Sequence, residues 1–203
     1  MMTIGLTGPT GAGKGAVSVL LWELYGIPSI DTDRVYHDLL VPPSACLDEL
    51  VAAFGQEILA ADGTLDRPIL SKIVFSDPTR EKQELLNRIT HKYVLDRSRE
   101  MLAKYRDEGK CAALVDAPLL YESGFDAECN AVIAVLAPSE VRRARIIARD
   151  SLSEERADAR LRMQKPDEFY CERTPWVLVN DGDIDALRRQ VEKLMTTLGV
   201  MVE

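Results

Sequence analysis

The glycine-rich run Gly8-Pro-Thr-Gly11-Ala-Gly13-Lys14 constrains this chain more than any other stretch. It follows a short apolar segment, residues 3–7 (TIGLT). It leads into residues 14–25, where Val17, Leu20, Leu21 and Leu24 recur at helical spacing. Glycines let the backbone curl until successive N–H groups point inward, and the following helix adds the positive end of its dipole. The run matches the first seven positions of the phosphate-binding pattern G-x-x-x-x-G-K-[ST], whose lysine reaches the β- and γ-phosphates of a nucleotide. Gly26 stands where a C-terminal helix cap belongs. Residues 27–30 (IPSI) form a second apolar run that ends at Asp31-Thr-Asp33. Strand, loop, helix and strand in that order open a parallel α/β sheet.

The eighth position of the pattern departs from it. Gly15 stands where a Ser or Thr hydroxyl would hold Mg²⁺, and Ala16 offers no replacement. The metal must then rely on water, nucleotide oxygens or nearby carboxylates, which Mg²⁺ tolerates because it usually keeps several waters. Weakened metal binding is the expectation.

Residues 34–110 carry helical periodicity, as in Leu47, Leu50, Val51 and Phe54, or Leu85, Leu86 and Ile89, with no convincing strand. Short apolar runs return at residues 112–116 (AALVD), 131–136 (AVIAVL) and 176–180 (WVLVN), as expected of strands buried on both faces. Between the last two lies an Arg-rich helical stretch, in which Ser151-Leu-Ser-Glu154 fits a capping box that starts a second helix. An amphipathic helix near 183–198 closes the chain. The fold expected is α/β: a P-loop core with a five-stranded parallel sheet flanked by helices, a helical insert and a helical lid. The core takes about 1–33, 111–138 and 175–203, the insert about 34–110 and the lid about 139–174, all as excursions from one domain.

Bulk properties exclude several classes. The formal net charge of −8 lacks the Lys and Arg surplus that displaces counterions from nucleic acid. Cys46, Cys111, Cys129 and Cys171 form no C-x-x-C pair, and the chain has 2 His, so neither a structural zinc site nor a disulfide framework is expected. Such isolated cysteines usually pack as small core residues. The longest apolar stretch, Ala131 to Ala137, is far short of a membrane span. No signal peptide is visible, and the expected compartment is the cytoplasm. Oligomeric state is not legible from one chain.

The base-reading N-K-x-D segment of GTPases is absent, since the late segment reads Asn180-Asp-Gly-Asp183, and no L-S-G-G-Q-like signature of ABC-type ATPases occurs. Metabolite kinases remain. They carry a substrate-covering helical insert after strand two and an Arg-rich lid late in the chain, as this layout does. Asp31 and Asp33 follow the second strand, at the edge where ligands bind in parallel sheets. A carboxylate there can accept a hydroxyl proton during phosphoryl transfer, or both can cap the next helix. Asp116 ends an apolar run, where it can orient Mg²⁺ through water or simply close the strand. Arg142, Arg143, Arg145, Arg149, Arg156, Arg160 and Arg162 form a mostly solvated helical face, with one or two free to close over phosphates.

These residues resemble the dephospho-coenzyme A kinase family. The similarity lies in Ile4-Gly-Leu-Thr7-Gly8, Asp31-Thr-Asp33, Phe54-Gly55, Asp62-Gly63-Thr-Leu65-Asp66-Arg67, Val74-Phe75 and Leu86-Asn87-Arg-Ile89-Thr-His91. It continues in Pro118-Leu119-Leu120-Tyr-Glu122, Arg145, Arg149-Asp150, Gln164 and Asn180. Lys92 after His91 and Thr174-Pro175-Trp176 before the last strand depart from the family pattern. The resemblance implies ATP- and Mg²⁺-dependent phosphorylation of the ribose 3′-hydroxyl of dephospho-coenzyme A, the last step of coenzyme A synthesis. It assigns Asp33 as general base, Lys14 as phosphate holder and Arg145 as stabiliser of the transferring group. It places ATP against Gly11, Ala12, Gly13, Lys14, Gly15, Ala16, Arg149 and Asn180, and the acceptor against Thr7, Asp33, Arg67, His91, Leu120 and Glu122. His91 serves equally well as a packing residue. The alternatives are a P-loop kinase of nucleosides or nucleotides, or a non-catalytic ATP-binding sensor.

Overall fold

The computed structural model describes residues 1–200. Two compact units divide the chain: Met1–Ile30 with Lys104–Glu203, and Asp31–Ala103.

The first unit holds the sheet. Strand β1 (Met2–Thr7) leads through the glycine run into helix α1 (Lys14–Tyr25), which ends on Gly26 in the left-handed conformation, as its sequence predicts. Strand β2 (Ser29–Asp31) is shorter and later than the apolar run at 27–30: the Ile27 amide turns back to the Leu21 carbonyl of α1, while the Pro28 carbonyl already accepts from the Leu114 amide. Strands β3 (Ala112–Asp116), β4 (Ala131–Leu136) and β5 (Trp176–Val179) complete the order β2-β3-β1-β4-β5. β1 pairs in parallel with both β3 and β4, and β4 with β5. From β1 the chain goes to β2 and β3 on one side, and after β3 it crosses to β4 and β5 on the other. Such a reversal opens a crevice at the carboxyl ends of the strands. Ile4, Leu6, Val17, Leu20, Leu21, Leu114, Ile133 and Val135 form the core beneath it, joined by Leu187, Val191 and Met195 of the last helix.

In the Asp31–Ala103 unit, α2 (Thr32–Asp38), α3 (Ala45–Phe54) and α4 (Arg67–Phe75) precede α5 (Glu81–Asp107), which runs on beyond it. Leu40, Cys46, Leu50, Phe54, Ile58, Leu70, Val74 and Ile89 pack together as its own core. Asp31, Ser44 and Asp66 cap α2, α3 and α4 with their side-chain oxygens.

The Arg-rich stretch forms α6 (Ser139–Asp150), α7 (Glu154–Arg162) and α8 (Asp167–Cys171), before the closing α9 (Ile184–Thr197). The capping-box expectation for Ser151 is corrected here. Ser151 ends α6 in the left-handed conformation (φ 51°), and the N-cap of α7 is Ser153, whose hydroxyl accepts from the Arg156 amide. The expectation that the cysteines pack as core residues is corrected too: Cys46 is buried, but Cys111 and Cys171 are exposed.

Candidate nucleotide-binding site

Helix α1 begins at Lys14 with Gly13 as its N-cap, and no side chain caps it. The first amides of a helix have no partner within it, so this end presents N–H groups and a positive dipole to whatever lies before it. Lys14 is half-buried, and its Nζ donates to the Gly8 carbonyl at 3.4 Å, which holds the ammonium across the mouth of the loop.

Two close approaches explain the inner glycines. Gly11 has φ 79°, and a Cβ there would lie 2.8 Å from the Arg142 carbonyl oxygen on α6. Gly13 has φ 99°, and a Cβ there would lie 2.1 Å from Asn180 Nδ2. The loop is thus pressed against α6 on one side and against the end of β5 on the other.

Polar contacts fasten it there. Asn180 is buried, donates Nδ2–H to the Ala12 carbonyl at 2.9 Å and accepts from Arg145 Nη2 at 3.3 Å. Arg145 Nη1 donates to the carbonyls of Gly11 (3.4 Å) and Ala12 (3.3 Å). The Gln164 carboxamide, just beyond α7, accepts the Thr10 amide at 3.0 Å. The carbonyls are therefore engaged from behind, an arrangement that favours amides turned toward a ligand. Ala12 is fully buried, Ala16 packs against the core, and Thr7 is buried at the end of β1 beside Ala134.

Asp116 ends β3 in register with Leu6, half-buried. The donors available for Mg²⁺ are few. Gly15 is exposed and offers no hydroxyl, Ser18 donates its hydroxyl to the Lys14 carbonyl at 3.3 Å, and among the described residues no group of three or more His, Cys, Asp or Glu is assembled. The loop suits the phosphates of a nucleotide, and at Gly15 it offers no hydroxyl for a cation.

Other residues named from the sequence fall into different settings. Arg149 forms a two-bond pair with Asp150 (2.7 and 2.9 Å), and Arg160 bonds the same carboxylate, so Asp150 is held down at about 2, chiefly by Arg149. Arg149 is thus paired with its neighbour in the sequence. Leu120 is fully buried, with Cδ2 2.7 Å from where a Cβ on Gly5 would stand, so its side chain serves the packing of β1. Glu122 is exposed and lies close enough to Tyr170 to raise its phenol, which burial, the larger cause, helps push up to about 12.

Within the other unit, the expectation that both Asp31 and Asp33 can cap the next helix is corrected. Asp31 Oδ1 accepts from the amides of Asp33 (2.9 Å) and Arg34 (3.1 Å), so Asp31 is the cap and Asp33 sits exposed in the first turn of α2. His37 lies one turn further along α2, and its Nδ1 meets Nη2 of the exposed Arg67. His91 is half-buried on α5.

A family profile described as dephospho-CoA kinase matches residues 2–186. A dephospho-CoA kinase of Moorella thermoacetica is 41% identical over 196 residues, covering 94% of this chain and 89% of that one. The chain belongs to the dephospho-CoA kinase family. Among solved structures, TT1252 from Thermus thermophilus matches with a TM-score of 0.80 at 32% identity over 97% of both chains. A dephospho-CoA kinase from Campylobacter jejuni matches with 0.71 at 28% identity over 98% of both.

Three features of this dephospho-CoA kinase family member escaped a functional assignment from sequence. Gln164 was a point of resemblance without a role, yet it holds the phosphate loop. His37 carried one signal, its i+4 spacing from Asp33 on α2. Arg142 was one arginine among many, yet its guanidinium is largely buried, and its nearest carboxylate, Asp167, stands at 3.8 Å, beyond hydrogen-bond reach.

Proposed function

We propose that the chain transfers the γ-phosphoryl group of ATP to the ribose 3′-hydroxyl of dephospho-coenzyme A, releasing ADP and coenzyme A. The observation that carries this reading is the glycine loop with Lys14, fastened by Asn180, Arg145 and Gln164, in a chain of the dephospho-CoA kinase family.

In this reading the α1 amides and Lys14 take the β- and γ-phosphate oxygens. Bond breaking to the leaving ADP builds negative charge there, and preorganised donors stabilise it without having to reorient. Arg145, already beside the loop, adds a guanidinium to the same charge. Asp33 takes the proton of the attacking hydroxyl. Its exposed place in the first turn of α2, with the cap supplied by Asp31, supports that role. Arg67, His91 and Glu122 are assigned to the acceptor by family resemblance, with Arg67 oriented by His37. The 31–103 helical unit is read as the acceptor-binding part, and α6 to α8 as the lid. When bound, Mg²⁺ would supply charge neutralisation to the phosphates, and Asp116 would be the residue to orient it through water. A cytoplasmic place of action belongs to the same proposal. It is supported by four free cysteines and by the absence, among the described residues, of a helix long and apolar enough to cross a membrane.

The test is ADP release from ATP and Mg²⁺ with dephospho-coenzyme A as acceptor, beside a panel of nucleosides and nucleotides. Acceptor-dependent ADP with dephospho-coenzyme A alone is expected. Turnover only with a nucleoside or nucleotide would move the chain to another kinase activity. Tight ATP binding without product on any acceptor would leave a nucleotide sensor.

A further inference from the structure

Gly15 is unlike the other glycines of its loop. Gly8, Gly11 and Gly13 all have positive φ, and a Cβ on each would strike a neighbour at 2.2, 2.8 and 2.1 Å respectively. At Gly15 the backbone lies outside the left-handed region, and a Cβ would meet nothing within 4 Å. The residue is exposed in the first turn of α1. Neither conformation nor packing requires glycine there, and glycine weakens a helix by about 0.5–1 kcal/mol relative to alanine. The space for a hydroxyl side chain is present and unused.

No neighbouring hydroxyl fills the role. Ser18 lies one turn on and donates to the Lys14 carbonyl, Thr7 is buried at the end of β1, and Thr10 stands four residues before Lys14 on the far side of Gly11 and Gly13 in the chain. Asp116 is the remaining carboxylate at the end of β3. We infer that this chain holds the divalent cation of its nucleotide without a hydroxyl ligand at the start of α1, so that its affinity for nucleotide is nearly indifferent to Mg²⁺. The cation is then kept by phosphate oxygens and water, with Asp116 in its outer shell. Such a shell imposes little geometry, and Mn²⁺ or Ca²⁺ should enter it about as readily as Mg²⁺, whereas a fixed ligand set favours the small octahedral ion. This inference rests on the reading of the loop as a nucleotide site.

Isothermal titration with a non-hydrolysable ATP analogue, in EDTA and then in excess MgCl₂, tests it on the wild type, Gly15→Ser and Gly15→Ala. The wild type and Gly15→Ala are expected to change Kd by no more than about threefold on adding Mg²⁺. Gly15→Ser is expected to tighten on the order of tenfold or more, as measured changes in metal-site partners do. The alanine variant carries the same Cβ and the same helix gain, so a difference between the two isolates the hydroxyl. Strong tightening by Mg²⁺ already in the wild type, unchanged in Gly15→Ser, would overturn the inference, because a protein ligand would then be in place. These titrations need no acceptor. A failure of the phosphoryl-transfer reading would appear as missing acceptor-dependent ADP while the metal comparison still gave its answer.

Discussion

The contact between Gly13 and Asn180 gives a prediction with a defined energetic signature. Asn180→Ala removes a buried neutral hydrogen bond to Ala12 and a charge-assisted one from Arg145. The first is worth about 0.5–1 kcal/mol and the second about 1.5–3, so the variant should lose about 2–4 kcal/mol. Gly13→Ala acts twice. An alanine at φ 99° costs about 1–3 kcal/mol of backbone strain, and its Cβ, 2.1 Å from Nδ2, displaces the Asn180 amide and forfeits the same two bonds. In the double variant the amide is already gone. Its cost should therefore equal that of Gly13→Ala alone and fall short of the sum of the singles by about 2–4 kcal/mol.

Urea unfolding followed by tryptophan fluorescence measures this in the right place. The chain has two tryptophans, Trp22 and Trp176, and both belong to the unit that holds the loop. Nucleotide affinity should weaken in Asn180→Ala, since the Ala12 carbonyl then depends on Arg145 alone. Singles that add to within about 0.5 kcal/mol would refute the reasoning, since independent sites behave that way.

Three further outcomes follow from other parts of the molecule. Asp33→Asn should leave nucleotide affinity within about twofold and slow phosphoryl transfer by about 10²–10⁴, the range of general-base catalysis; near-normal turnover would exclude Asp33 as the base. A thiol reagent at pH 8 should modify exposed Cys111 and Cys171 quickly. Cys46, pushed up to about 11, and Cys129, pushed up to about 12, both chiefly by burial, should lag far behind, and four equal rates would contradict the burial. Asp150 is depressed from 3.8 to about 2, so the stability its pairs contribute is in full above 3.8 and is lost as pH falls through about 2. The difference between wild type and Asp150→Asn in hydrogen exchange of α6 and α7 should be constant above pH 4 and vanish toward pH 2; a difference unchanged down to pH 2 would mean the carboxylate does not hold these helices.

Much of this was legible in the sequence because local periodicity decided it. Runs such as 131–136 have no face to give to water and appear as buried strands; α1 is bounded by Lys14 and Gly26, as its spacing and capping glycine require. Ser151 and Ser153 show where local reading stops. Ser151 has glutamate three residues on and Ser153 has arginine, so the capping-box rule chose Ser151. What decides is the end of α6, which uses Ser151 in the left-handed conformation and leaves Ser153 as the first residue able to cap. Asp31 and Asp33 both looked able to cap the next helix, and the start of α2 at Thr32 leaves that place to Asp31 alone.

The site itself follows from strand order more than from motif. β1, β3, β4 and β5 are neighbours and run in parallel, so whatever follows each strand arrives at one edge of the sheet. After β1 comes the glycine loop, and Asp116 closes β3. After β4 comes α6 with Arg145, and after β5 comes Asn180. Asn180 and Ala12 are 168 positions apart in the chain, yet the side chain of one bonds the backbone of the other. A reader of the sequence who takes the first polar residue after each buried run recovers Asp116 and Asn180. Gln164 escapes that rule, because it reaches Thr10 from the stretch between α7 and α8, where nothing in the sequence fixes the direction of the chain. Gly15 escapes it for a different reason. Its place in the motif is plain, but only the open space around it shows that no demand of folding put glycine there.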